Sequence, residues 1–469
     1  MGRSAQHLPP PDGSRTVSGT LKVTTLPTSQ QSPDPVSRPL PAARTAGLPL
    51  STLEFVTLAA LLTCLTALSI DIMLPVLPDL AQALGVTRDN DRQWVVTSYL
   101  IGLVLGQLVA GGISDRSGRL PVLFAGLVLF TIGAALASAA QSFTWLLAAR
   151  FLQGLGGAAP RVVVVAIVRD LYEGRQMARV MSLVMTTFIL VPVVAPTIGQ
   201  LLGYIGGWRA PIYVLALVGV IAFAWAWMRL PETSPRHRGT RRVSSPGARH
   251  VVRIDGAAPP SSQPVGFLSA LRVVLSTPVT VAYIAANGFM FACLMSYILS
   301  SQQVFVDVYA LGPWFPIAFG SVALAMAAAG LTNSQIVIRY GMRTVSHRAL
   351  LAFAATACLI AAASWSYGGR PPLVLLWIGL VTLFFFFGLI VSNFNAIAME
   401  PLGAVAGTAS SLMGSYTTLV GALFGTLVGQ FFDQTALPLG LGFVVFSLGA
   451  LFLICATEGI DRFARSDLV

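Results

Sequence analysis

The sequence predicts an all-α membrane protein whose twelve transmembrane helices form two six-helix bundles. Three observations predict it. Of 469 residues, 55% are hydrophobic and 10% charged, where soluble domains carry roughly 25% charged residues. Apolar stretches recur almost without pause from residue 53 to residue 457. A polar, basic stretch over 230–268 divides them six and six.

A helix needs about 20 apolar residues to cross the hydrocarbon layer. Stretches of that kind run over 54–78, 94–114, 120–140, 143–168, 177–203, 209–229, 277–300, 313–338, 347–366, 372–397, 405–430 and 437–457. Their glycines and prolines, Pro192 and Pro196 among them, are tolerated in bilayer helices because neighbours re-satisfy the freed backbone groups. A barrel would need short alternating segments instead. The expected organisation is a disordered cytoplasmic tail over 1–50, a first bundle over 51–229, a cytoplasmic linker over 230–268, a second bundle over 269–457 and a short tail over 458–469. The first 50 residues are rich in Pro, Ser and Thr and lack an apolar core, so they are expected to be a disordered tail rather than a cleavable signal.

Basic residues set the expected orientation. With the N-terminus inside, the tail holds 5 Lys or Arg, the inner loops and C-terminus 18, the outer loops 4 (Arg88, Arg92, Arg209, Arg370) and the spans 2. The bias places both termini in the cytoplasm. It also accounts for the net charge of +11, since the arginines flank spans rather than stud one face as nucleic-acid recognition requires. Cys64, Cys293, Cys358 and Cys455 lie in spans without paired spacing, and His7, His237, His250 and His347 are scattered over inner polar segments. Neither set suggests a metal site or a disulfide framework. Gly154-Leu155-Gly156-Gly157-Ala158-Ala159 matches a dinucleotide fingerprint in letters only, because no strand precedes it. No phosphate-binding loop occurs and the only lysine is Lys22, so no ATP or other cofactor is expected. Clustered enzymatic machinery is missing from the spans as well.

Charge at bilayer depth costs several kcal/mol, so ionisable residues within spans are functional candidates. Asp71 lies roughly 10 Å short of the end of the first span, and Arg150 lies at matching depth in the fourth. Gln153, Gly154, Gly157 and Arg161 follow Arg150 on one narrow helical face, which must meet a bundle interior or water. Asp71 is expected to take up and release a proton as its surroundings change, with Arg150 moving toward or away from it. The competing reading is a static pair that holds two helices together.

The tight loop after the second span reads Gly111-Gly112-Ile113-Ser114-Asp115-Arg116-Ser117-Gly118-Arg119. Its glycine permits a turn with positive φ, and its charges can pair with neighbouring helix ends, Arg169-Asp170 being candidates. This loop resembles the signature between the second and third helices of the major facilitator superfamily. Arg150, Gln153 and Gly154 resemble the fourth-helix motif of its proton-coupled members. Pro192, Pro196 and Gly199, ending in Trp208-Arg209, resemble the fifth-helix motif of its antiporters. Asp71-Ile72-Met73-Leu74-Pro75-Val76-Leu77-Pro78, with Arg169-Asp170 and Ala406-Gly407-Thr408-Ala409-Ser410-Ser411, looks like the bicyclomycin and chloramphenicol resistance branch of the drug:proton antiporters. The fifth-helix motif departs from the pattern at Ala195 and Gln200. Arg339-Tyr340-Gly341-Met342-Arg343 echoes the first loop without its acid, so the charge lock on the inner side is expected mainly in the first half.

The resemblance implies a major facilitator fold: two six-helix repeats that bind substrate between them and alternate in access. It implies export of small amphipathic molecules in exchange for protons, by a monomer in the bacterial inner membrane. Asp71 and Arg150 would couple the proton. Gly111, Asp115, Arg116, Gly118, Arg119 and Asp170 would form the cytoplasmic gate. Tyr99, Gln107, Gln153, Arg161, Asn287, Phe291, Tyr297 and Asn395 would line the substrate cavity, and Pro192, Pro196 and Gly199 would carry the antiporter motif. Small-residue ladders, Gly102, Gly106, Ala110 and Ser114 in the second span and Gly421, Gly425 and Gly429 in the eleventh, are expected at the moving seams. The run Phe384–Phe387 is expected to contact lipid. An importer or facilitator of a small metabolite would share the fold and the loop, and a polytopic receptor or scaffold is a further alternative. The fifth-helix prolines and Asp71 tilt the reading toward export, and a receptor or scaffold should not need Asp71 and Arg150 at matching depth.

Overall fold

A computed structural model describes residues 50–172, 174–233 and 267–459. Most of the expected tails and linker, and the side chains of Ala406, Gly407 and Thr408, therefore lie outside the described residues. Among the described residues there are twelve long helices. The first bundle holds α1 (Thr52–Asp71), α3 (Trp94–Ser117), α4 (Arg119–Ser138), α5 (Phe143–Leu171), α6 (Gly174–Gly206) and α7 (Ala210–Arg229), with a short α2 (Leu77–Ala83) between the first two. After a short α8 (Phe267–Leu275) come α9 (Pro278–Gln302), α10 (Phe315–Tyr340), α11 (Met342–Ser366), α12 (Leu373–Met399), α13 (Ala406–Gln430) and α14 (Leu437–Glu458). Large apolar side chains stay exposed around the bundles, including Trp227, Ile338 and Phe452, as a lipid-facing surface demands.

The first span ends sooner than its hydropathy suggests. Pro75 and Pro78 lack amide hydrogens and disfavour helix in the residues before them, so α1 stops at Asp71. The chain continues as a 3-10 turn over Leu74–Val76 and then α2. One consequence is a loose carbonyl. Met73 donates its amide to Ile70 O at 3.3 Å, which leaves Ser69 O available at the helix end.

Glycines let α3, α4 and α5 pack backbone to backbone. A Cβ on Gly102 would lie 2.0 Å from Phe151 O, one on Gly154 1.9 Å from Tyr99 O, and one on Gly126 2.3 Å from the Ala159 methyl. The same contacts correct the reading of the small-residue ladders. Gly102 and Gly106 face α5 within the first bundle, and Gly421 and Gly425 face Phe291, Met295 and Ser296 on α9 within the second. Gly429 alone of these meets the other bundle, at Gln93.

The bundles join along two antiparallel seams, α3 against α13 and α6 against α10. One face of the molecule carries Gly118 and the other carries Arg92. Among the described residues, several hydrogen bonds cross between the bundles toward the Arg92 face: Asn90 to Phe432 O at 2.9 Å, Gln303 to Asn90 at 2.7 Å, Thr97 to Thr426 at 2.7 Å and Gln200 to Gly312 O at 3.2 Å.

The phenylalanine run is mostly core rather than lipid-facing. Phe384 and Phe387 are buried, and Phe384 packs on Tyr297 and edge-on against Phe443. Helical geometry turns Phe384 and Phe387 to one side and leaves Phe385 and Phe386 half-buried.

Candidate functional site

Asp71 is 2% exposed and sits where α1 gives out between the bundles. The 3-10 turn that follows it touches α9 of the second bundle. Arg150 is fully buried and directs its donors to groups that helix geometry leaves available. Nη2 donates to Ser69 O at 2.7 Å, Nε to Val95 O at 3.3 Å and Nη1 to Gln153 Oε1 at 2.7 Å. The guanidinium also lies 4.8 Å over the Tyr99 ring. The two charges thus share a depth, since Arg150 holds the backbone two residues before Asp71, but they form no ion pair in this structure. An arginine satisfied by carbonyls and an aromatic face keeps its charge without a carboxylate partner. Asp71 is therefore not neutralised by Arg150.

The remaining cavity candidates divide by exposure. Tyr99, Gln107, Gln153, Asn287 and Tyr297 are buried, while Arg161, Phe291 and Asn395 are partly exposed. Asn287 donates to Asn395 at 3.1 Å, tying α9 to α12. Gln153 serves Arg150 and is not open to a ligand. In α6, Pro192 and Pro196 lie inside the helix, and Gly199 presses on the α1 end, where a Cβ would come within 2.1 Å of Ile72 O. The fifth-helix motif thus packs directly beside Asp71. Arg209 donates to Ser138 O and Ala140 O at 3.1 and 2.9 Å and stacks on Trp208 at 4.1 Å. Arg209 thus covers the carbonyl that ends α4 and one just beyond it.

At the other face, Gly118 adopts φ 101°, a value that favours glycine, and turns the chain from α3 into α4. Arg119 is buried and bonded to Asp170 at 3.0 Å, Asp115 at 2.6 Å and Ser114 at 3.0 Å. Gly111 lies near Ser411 of α13, to which a Cβ would come within 3.6 Å, whereas Arg116 is exposed. The structure adds Glu232, whose oxygens accept the backbone amides of Arg119 and Leu120, both at 3.0 Å. Coming from the chain just after α7, it caps α4, favourably placed against the positive end of the helix dipole.

The second half holds a counterpart, which corrects the expectation that the charge lock belongs mainly to the first. Arg343 pairs with Glu458 at 3.0 Å and Glu400 at 3.7 Å. Tyr283 donates to Glu458 at 2.7 Å and lies 2.9 Å from His347 Nε2. The acids absent from the second loop arrive from the ends of α12 and α14. Positive φ at Gly341, 75°, was legible as an echo of the first loop, but Glu400 and Glu458 carried no local signal. Among the described residues no three His, Cys, Asp or Glu side chains converge as a metal site requires.

The family model of the Major Facilitator Superfamily matches residues 59–426. A bicyclomycin resistance protein homolog of Haemophilus influenzae is 30% identical, over 86% of this chain and 94% of its own. A chloramphenicol resistance protein of Pseudomonas aeruginosa is 30% identical, over 78% of this chain and 80% of its own. A crystal structure of a D-xylose–proton symporter superposes with TM-score 0.65 at 14% identity, over 86% of this chain and 97% of that one, a likeness of fold alone. Two six-helix bundles, the glycine turn with its buried arginine, and the family match together establish that the chain belongs to the major facilitator superfamily.

Proposed function

We propose that this protein exports small amphipathic, drug-like molecules across the bacterial inner membrane in exchange for protons. The bundles rock about a site near the membrane middle, with the Gly118 face and both termini in the cytoplasm and the monomer as the working unit. The names of the two relatives, resistance to bicyclomycin and to chloramphenicol, support the substrate class. The observation that carries the proton coupling is Asp71. It is a carboxylate buried at 2% exposure, set between the bundles at a helix end and without an arginine partner. Such a group is costly to keep charged in an apolar setting, and rocking that admits water to it from alternate sides lets it load a proton outside and release it inside.

Arg150 and Gln153 would hold the α1 end in place while Asp71 changes charge. Arg161, Phe291 and Asn395 would meet substrate directly, with Tyr99, Gln107, Asn287 and Tyr297 behind them. Asp115, Arg116, Arg119 and Asp170 would close the cytoplasmic side, and Pro192, Pro196 and Gly199 would fit α6 against the Asp71 turn. Asp71→Asn is expected to abolish gradient-driven export at normal expression. Drug accumulation, measured in cells with and without the protein and after collapse of the proton gradient, tests this. Full export by Asp71→Asn, or export indifferent to the gradient, would remove the antiport reading.

A further inference from the structure

The four outer-loop arginines look alike in sequence, but one of them is buried. Arg92, in the 3-10 turn Asp89–Gln93 before α3, is 5% exposed and ion-paired with Asp307 of the second bundle. Arg88, in contrast, pairs within its own loop with Asp91. Around the Arg92–Asp307 pair the same turn makes further ties to the second bundle. Asn90 Nδ2 donates to Gln430 O at 3.1 Å and Phe432 O at 2.9 Å, and its own carbonyl accepts from Gln430 Nε2 at 2.8 Å. Gln303 Nε2 donates to Asn90 Oδ1 at 2.7 Å, and Gln303 Oε1 accepts from Gln93 Nε2. Gly429 gives Gln93 its room, since a Cβ there would lie 1.8 Å from Gln93 Oε1. Gln303 and Asp307 both sit on a π-helical turn, Gln303–Val308, that ends α9, and such turns cluster at functional positions.

We infer that the Asn90–Arg92–Gln93 turn and the π-turn of α9 form the gate that closes the transport path at the Arg92 face, with the Arg92–Asp307 pair holding it shut. The inference rests on alternating access by the two bundles, as proposed above. Its physical basis is the chemistry of the seal. An apolar seal loses buried area when it opens, and that loss opposes opening. A seal of amides and one ion pair exchanges each protein partner for water, so closed and open states differ little in free energy. The hydrogen-bond geometry still specifies one closed register. Polar contacts between the bundles gather here, and Thr97 and Thr426, bonded to each other at 2.7 Å and both buried, lie one turn further in. They are shielded from this face as long as the gate is closed.

The test reads the gate without using transport. A cysteine is introduced by Thr426→Cys, and its labelling by a soluble maleimide is followed in the purified full-length protein, above the parent protein's background. Arg92→Gln and Asp307→Asn are each expected to raise the labelling rate at least tenfold, and the charge exchange Arg92→Asp with Asp307→Arg to return it toward the parent rate. Native Cys293, fully buried in α9, should stay unlabelled throughout, which separates an open gate from an unfolded bundle. Unchanged labelling in the single variants, or an exchange that labels as fast as they do, overturns the inference. Should the charge variants fail to fold, Asn90→Ala decides: faster labelling supports the gate, and the parent rate refutes it. The labelling is read without export, so a failed export reading, judged by Asp71→Asn in cells, and a failed gate, judged by these labelling rates, give different results.

Discussion

Replacing Gly154 by alanine tests whether the close backbone contact between α3 and α5 helps to hold Arg150 in place. The added Cβ would lie 1.9 Å from Tyr99 O, 2.8 Å from Tyr99 C and 3.0 Å from Leu103 N. All three are backbone atoms, so no side chain can swing away. Restoring ordinary contact requires the two helices to part by about 1.5 Å, and overpacking of this kind costs about 1–3 kcal/mol. The movement also reaches Arg150, one turn away on the same face of α5. Its bond to Val95 O, already 3.3 Å, crosses the α3–α5 interface and would break. A buried donor left without its acceptor adds about 1–3 kcal/mol. The expected sum is about 2–6 kcal/mol, seen as a clear fall in the unfolding temperature of the purified protein. Export should weaken as well, because the α1 end that Arg150 holds carries Asp71. Gly112→Ala, where a Cβ meets nothing within 4 Å, is the matched control and should behave as the parent. A Gly154→Ala variant with the parent's unfolding temperature would refute the argument that this contact fixes Arg150.

Two further outcomes follow from contacts that hydropathy does not report. Glu232→Ala removes the cap on Arg119 and Leu120 and should cost about 1–2 kcal/mol, measured by thermal unfolding; Glu232→Gln should recover part of it, because an amide oxygen still accepts. Phe384→Ala should cost about 3–5 kcal/mol, since its ring is wedged against Tyr297 and Phe443. Phe386→Ala, at a half-buried position, should cost clearly less, and equal losses would restore the lipid-contact reading of the run.

Sequence alone determined the number of spans, their division into two bundles and the residues whose charge the bilayer makes costly. These are sums over neighbouring residues, and local composition carries them. Asp71 and Arg150 stood out for that reason, as did the turn glycines Gly118 and Gly341, whose backbone needs are local. Partners were decided only by the tertiary structure. Arg150 meets the Ser69 carbonyl because prolines further along end α1, and Arg343 finds its acids on α12 and α14. Which side of an apolar helix faces lipid and which faces protein was likewise settled in three dimensions, as Phe384 and the glycine ladders demonstrate. The bilayer and the protein core are both apolar, so hydropathy cannot tell them apart. Arg92 makes the point from the polar side. Its charge looked like that of any outer-loop arginine, and only the fold gave it Asp307 from the other bundle.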